Sequence, residues 1–164
     1  KTVEKQIVIL EEEVEKHLMS DEQVASKVEH LCSIKGVGIA TVAVVLAETN
    51  GFYLFENISQ LISYAGYDVA QNQSGMKEGK TRISKRGNHR IRRILHLPAF
   101  NMVRYKVPRF IELFERTYDK HHIKMKSYVA IQKRLLTILY TLWKKNESFN
   151  PVISGNHEPA PSFA

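Results

Sequence analysis

Apolar positions recur at helical spacing along most of the chain. Val3, Ile7, Leu10 and Val14 follow a 3-4-3 rhythm that Leu18 continues. This predicts a helix of roughly 17 residues, about 25 Å long. The apolar seam is narrow and is flanked by Glu11, Glu12, Glu13 and Glu15, so the helix needs a partner helix. Ser20 with Gln23 reads as a capping box that opens a second helix, with Val24, Val28 and Leu31 turned inward. Two arrangements fit: a coiled-coil hairpin whose other strand is partly missing, or two helices packed on their own domain.

The next segment, Leu31 to Thr49, places a short turn with Gly36 and Gly38 between two apolar helical patterns. Glycines permit a tight turn and a close approach of backbone to phosphate. Amides of such a turn and of the following helix start can grip a phosphate without reading bases. The pattern predicts a helix-hairpin-helix, with Lys35, Gly36 and Gly38 as its nucleic-acid-binding residues; an ordinary helical turn with a glycine cap is the plainer reading. Ala40, Ala43 and Ala47 recur at the helical period and suit close helix packing.

Asn57 with Gln60 reads as another capping box, opening a short helix to Ala65 that Gly66 ends. Tyr64 and Tyr67 suit either base stacking or the core and its rim. Residues 68–88 carry Gly75, Gly79 and Gly87 and no sustained helical period, which predicts a loop or a loose hairpin. A helix resumes at Asn88, and Pro98 is expected to kink or break it. Further helices are expected from Pro108 to Asp119 and from Lys124 to Lys145. The tail from Ser148 holds three of the five prolines and is expected to be loose. The fold class is therefore mainly α: a coiled-coil-like helix over 1–30, a compact helical domain over 31–147, and a flexible tail over 148–164.

Charge changes this picture more than composition does. The chain carries +7 overall, yet residues 1–31 hold eight acids against four bases. Residues 76–109 hold eleven bases against Glu78 alone, a local +10. So concentrated a field suits phosphates, or an acidic protein partner. The candidate nucleic-acid-binding residues in and beside this window are Lys77, Lys80, Arg82, Lys85, Arg86, Arg90, Arg92 and Arg93. Cys32 is the single cysteine, so an internal disulfide and a thiolate-rich metal site are excluded. No apolar run reaches the length of a membrane span, and no signal peptide opens the chain. That the chain starts at Lys1 hints at a fragment.

Catalytic chemistry is sparse. His121 and His122 with Asp119 lack the spacing of a metal site, and no carboxylate cluster stands out for a two-metal nuclease. Glu48 reads as a helix-surface residue, and Asp68 is the acid nearest the loop. What remains is a hydroxyl. Ser74 beside Gly75 is ordinary turn chemistry taken alone, although nearby arginines can stabilise charge on a transferred phosphoryl group. Ser84 is a rival on the same argument.

Four blocks in order carry a resemblance: Ile34–Gly38; Phe55-Glu56-Asn57 with Leu61–Tyr67; Gln73-Ser74-Gly75; and Lys80–Arg93. Together they resemble the C-terminal region of the IS110/IS116/IS902 transposase family, over about residues 25–146. The acidic helix before them is similar to that family's coiled-coil linker. The resemblance implies an enzyme that mobilises a bacterial insertion sequence, with Ser74 as the nucleophile forming a phosphoserine link to DNA. It implies an N-terminal RuvC-like domain, outside this chain, whose acidic tetrad binds divalent metal, expected to be Mg; no cofactor is expected in this chain. Implied partners are donor and target DNA, a structured guide RNA and further copies of the protein, without a membrane, in the bacterial cytoplasm at the nucleoid. One departure stands out. Asp68-Val69-Ala70 follows Gly66-Tyr67 where the family commonly has a proline. The alternatives are a non-catalytic nucleic-acid-binding accessory module and a basic face that meets an acidic protein.

Overall fold

The computed structural model describes residues 2–70, 73–74, 77–78 and 82–150, with backbone alone described at 70, 73–74, 77–78 and 82. Eight helices and four two-residue strands lie among these residues. The expectation of a mainly α fold therefore holds.

The centre of the molecule is α8, Lys124–Lys145, ten of whose 22 residues are buried. A helix of that length spans about 33 Å, so α2, α4, α6 and α7 can all pack along it. Ile131, Leu135, Leu139 and Leu142 recur every three to four residues and form its spine. They meet Val28 and Leu31 of α2 (Glu22–Cys32), Val42 and Val45 of α3 (Ile39–Thr49), Leu61 of α4 (Ile58–Ala65) and Met102 of α6 (His96–Arg104) in one core. Phe110 adds α7 (Phe110–His121) to it.

The first helix, α1 (Thr2–Leu18), has no buried residue. Val3, Ile7, Leu10 and Val14 are all exposed, and only Leu18 reaches the core. The narrow seam predicted for this helix is thus present and uncovered, whereas α2 joins the compact unit through Val28 and Leu31.

Several local expectations need correction. Ser20 does not cap α2: its hydroxyl donates to the His17 carbonyl at 2.7 Å, closing α1. The cap is Asp21, whose carboxylate accepts from the amides of Gln23 and Val24 at 2.9 and 3.2 Å. A carboxylate at this end is also favoured by the helix dipole. Ala40 and Ala47 do not pack α3; they are exposed, and its buried face is Thr41, Val42, Val45, Leu46 and Thr49. Branched side chains fill the interior there, so the alanines are left to the outer surface. α7 begins at Phe110, because Arg109 takes a left-handed φ of +67° at its start.

Other expectations stand. Asn57 accepts from the Gln60 amide at 3.0 Å, while the Gln60 side chain reaches back to the Glu56 amide at 2.9 Å. The helix that opens at Asn88 breaks at Leu95 into α5 (His89–Ile94) and α6, three residues before Pro98. A proline ring cannot accept an unbroken helix through the turn before it, and it supplies no amide. Tyr67 is fully buried, so it is a core residue. Its hydroxyl donates to Gln132 Oε1 at 2.9 Å, and burial pushes its phenol well above the ordinary range. Residues 151–164 of the expected tail lie outside the described residues. Phe149 packs against the core, and its amide donates to the Ser33 hydroxyl at 3.4 Å.

Candidate functional site

The basic stretch after Tyr67 leaves the helical body and returns to it at a single root. α4 ends at Gly66, which takes φ +74°, a left-handed value that favours glycine. Gly87, on the returning limb, lies directly against this helix end. A Cβ on Gly87 would collide with the Tyr64 carbonyl and the Gly66 nitrogen. Only two glycines let the two backbones come this close. The Asn88 amide donates to the Tyr64 carbonyl at 2.7 Å, and the Lys85 amide to the Gly66 carbonyl at 3.2 Å.

Arg92 locks the root from the side. Its guanidinium donates to the carbonyls of Ala65, Asn88 and Lys85 at 2.7, 3.3 and 3.3 Å. Lys85 itself has φ +55°, a strained conformation for a side chain with a Cβ. Hydrogen bonds to a charged donor, about 1.5–3 kcal/mol each, are large enough to hold such a turn. Ser84, the rival hydroxyl, is committed here too. It donates to Asp68 Oδ1 at 2.6 Å, and its amide donates to the Asp68 carbonyl at 2.8 Å.

From this root the chain runs out as an antiparallel hairpin. β1 (Val69–Ala70) pairs with β4 (Arg82–Ile83), and β2 (Gln73–Ser74) pairs with β3 (Lys77–Glu78). The described residues of the basic stretch thus pair as a hairpin, one of the two forms expected. Ser74 is the last paired residue before the tip, opposite Lys77. Lys77 and Arg82 share these strands, while Gly75, Gly79 and Lys80 lie outside the described residues, as do the side chains of Ser74, Lys77 and Arg82.

A second network ties α5 to α3 behind the root. Asn88 caps α5 by accepting from the Arg90 and Ile91 amides at 2.9 and 3.2 Å. Its side-chain amide donates to Glu48 at 2.6 Å, and Arg90 donates to the other Glu48 oxygen at 2.9 Å. The Asn88 hydrogen bond, then the one from Arg90, hold the Glu48 carboxyl below the ordinary glutamate range. Glu48 therefore serves as an anchor, beyond the surface role expected of it. Charge alone could not reveal this, because the partners lie some forty residues on. The helix start at Asn88 was legible in the chain; its bond to Glu48 was not.

Of the proposed basic residues, Lys85, Arg86, Arg90 and Arg93 are exposed and Arg92 is half-buried. Arg92 is committed to backbone carbonyls, and Arg90, though exposed, pairs with Glu48; Lys85, Arg86 and Arg93 are further exposed cations at the root.

The turn between α2 and α3 gives its two glycines different roles. Gly36 has φ +94°, and a Cβ there would lie 3.2 Å from the Asn101 Cβ of α6. It is required by the backbone and by packing. Gly38 caps α3 with φ −104°, which any residue adopts, and a Cβ there would meet nothing within 4 Å. The start of α3 carries no side-chain cap, and the Thr41 amide donates to the Gly38 carbonyl at 2.9 Å. Lys35 stands beside this turn, with Nζ 5.1 Å from the centre of the Tyr105 ring.

Among the described residues, no three His, Cys, Asp or Glu side chains converge as a metal site, and no helix is long and apolar enough to cross a membrane. His121 and His122 end α7; partial burial, then Lys126 and Lys120, lower the His121 pKa. Cys32 is half-buried, and burial pushes its thiol up, away from nucleophilic use.

Comparison with known proteins adds identity to this geometry. Residues 28–115 match the family model described as "Transposase IS116/IS110/IS902 family". The chain is similar to the pilin gene-inverting proteins of Moraxella bovis and Moraxella lacunata, at 30% identity over 121 residues in each case. The match covers 73% of this chain but 38% of each relative, so well under half of those proteins is represented. The matched region takes in the glycine turn, the hairpin and its root, and the chain belongs to the IS116/IS110/IS902 transposase family.

Proposed function

We propose that this chain is the nucleic-acid-engaging C-terminal part of a transposase or recombinase, and that it supplies Ser74 as the nucleophile for DNA strand exchange. The observation that carries this reading is the position of Ser74, the last paired residue before the tip of a hairpin whose root is held rigidly. A nucleophile at such a tip reaches a phosphate on another molecule, while Arg92, Gly66 and Gly87 keep its base in place. Relatives named for gene inversion support DNA rearrangement as the process.

In the proposed step the Ser74 oxygen bonds to the scissile phosphorus and the bond to one sugar oxygen breaks. The serine proton leaves, and the freed sugar oxygen takes one up. Rejoining reverses the step on a different strand. Lys85, Arg86 and Arg93 hold the DNA backbone beside the root, and the amides at Gly38 with Lys35 hold a second phosphate as a helix-hairpin-helix does. In this reading divalent metal would be held by the acidic tetrad of a RuvC-like domain N-terminal to this region. Donor and target DNA, a guide RNA and further copies of the protein are the partners in this reading.

The test is Ser74→Ala in the full-length recombinase. The covalent protein–DNA adduct is expected to vanish while DNA binding persists. An unchanged adduct would remove Ser74 from the role and leave an accessory binding module. In a parallel measurement, replacing Lys85, Arg86 and Arg93 by Ala should flatten the salt dependence of duplex binding by about 0.9 in log–log slope per lost phosphate contact.

A further inference from the structure

Beside the root of the hairpin, a groove of about 560 Å³ opens between α4 and the returning limb, lined by Gln60, Ser63, Tyr64, Arg86, Gly87 and Asn88. Its one aromatic wall is Tyr64, 38% exposed although its carbonyl and hydroxyl are both hydrogen-bonded. One side of the ring rests on Phe55, with centres 5.1 Å apart. Its hydroxyl donates to the Glu48 carbonyl at 3.1 Å and accepts from Asn88 at 3.3 Å. The ring is therefore held in one orientation with area left open, and a planar ligand that stacks on it meets little ordering cost.

The remaining wall is polar. Gln60 uses its side-chain oxygen on the Glu56 amide, which leaves its NH₂ group as a donor. Ser63 is exposed and brings a hydroxyl that both donates and accepts. Arg86 is exposed at the rim, where its guanidinium suits a phosphate. Glu48, which touches Tyr64 and Asn88 of the groove wall, is already bonded to Asn88 and Arg90. An aromatic face, amide and hydroxyl groups at its edge, and a guanidinium one step away match the parts of a single nucleotide: base, base edge and phosphate. The volume lies within the usual range for a small-molecule site, about 300–1,000 Å³.

We propose that this groove is a subsite for one unpaired nucleobase of the bound strand, stacked on Tyr64 with its flanking phosphate on Arg86. A base inside a duplex has both faces covered, so only an unpaired one offers a face to Tyr64. The inference rests on the nucleic-acid reading above and narrows it. The root of the serine-bearing hairpin would hold a base out of its stack and so place the strand relative to Ser74.

The experiment uses two DNA duplexes, one with a single bulged 2-aminopurine and one with an abasic bulge at the same place. The wild-type chain should bind the first about tenfold more tightly, the scale of one base stack, and should quench its fluorescence. Ser63→Leu fills the groove from an exposed position without touching the core. It should erase both the preference and the quenching. Equal wild-type affinity for the two duplexes, or an undiminished preference in Ser63→Leu, would overturn the subsite while leaving the nucleic-acid reading intact. Failure of the wild-type chain to bind any duplex, including one without a bulge, would overturn the broader reading and the subsite with it.

Discussion

The guanidinium of Arg92 donates to the carbonyl of Ala65 across 2.7 Å, joining α5 to the last turn of α4. This contact clasps the two ends of the hairpin that carries Ser74. An arginine from the densest basic cluster is thereby taken out of the surface field and made part of the frame.

Arg92→Ala should therefore act on stability and on the hairpin, more than on charge. Three carbonyls lose their charged donor, and a loss of about 1–3 kcal/mol is expected in urea unfolding. Gly87→Ala should cost at least as much, because its Cβ has no room beside the Tyr64 carbonyl. Amide exchange at Lys85 and Asn88 should accelerate in both variants. Unchanged exchange there would show that the root does not depend on the clasp.

The two turn glycines should separate stability from binding. Gly36→Ala forces a left-handed Cβ against Asn101, and about 1–2 kcal/mol should be lost. Gly38→Ser keeps an ordinary extended φ and adds a better helix cap, so stability should stay or rise by a few tenths of a kcal/mol. If phosphate approaches the α3 amides, the same serine should weaken duplex binding. Undiminished affinity in Gly38→Ser would place the phosphate elsewhere.

Glu48 gives the acid limb of stability a specific source. Its folded pKa is depressed, with the Asn88 hydrogen bond as the larger cause and Arg90 next. A depressed carboxylate stabilises the fold above its unfolded pKa, near 4.5, and that contribution is lost as pH falls through the lower folded value. Glu48→Gln should show a shallower decline in urea midpoint below pH 4.5 than the wild-type chain. An identical acid limb in the two proteins would mean that the anchor contributes nothing to it.

The seam on α1 should govern association and leave the fold alone. Ile7 and Leu10 are 49% and 59% exposed, so Ile7→Asp with Leu10→Asp should change unfolding by less than about 1 kcal/mol. If copies join through this helix, sedimentation should show the variant shifted toward monomer. An unshifted mass distribution would assign the seam to another partner.

The amino-acid sequence by itself determined what depends on near neighbours. The 3-4 spacing of apolar residues set the helices, Asn57 and Asn88 set two starts, and Gly66 set a stop. Pro98 set a break, because each of these acts within a turn or two of itself. The order of the blocks from Ile34 to Arg93 was enough to indicate the transposase family. Local reading erred where two candidates competed within a residue, as with Ser20 and Asp21, or where a small side chain suggested packing, as with Ala40. Tertiary structure alone decided which charges are free and which are spent. Arg92 and Arg93 are adjacent and look alike in the chain, yet one clasps Ala65 and the other faces solvent. The Gly66–Gly87 crossing, the Glu48–Asn88–Arg90 anchor and the groove at Tyr64 join residues about twenty to forty positions apart. Their geometry exists only once the core around α8 has brought α3, α4 and α5 together, so no local pattern encodes it.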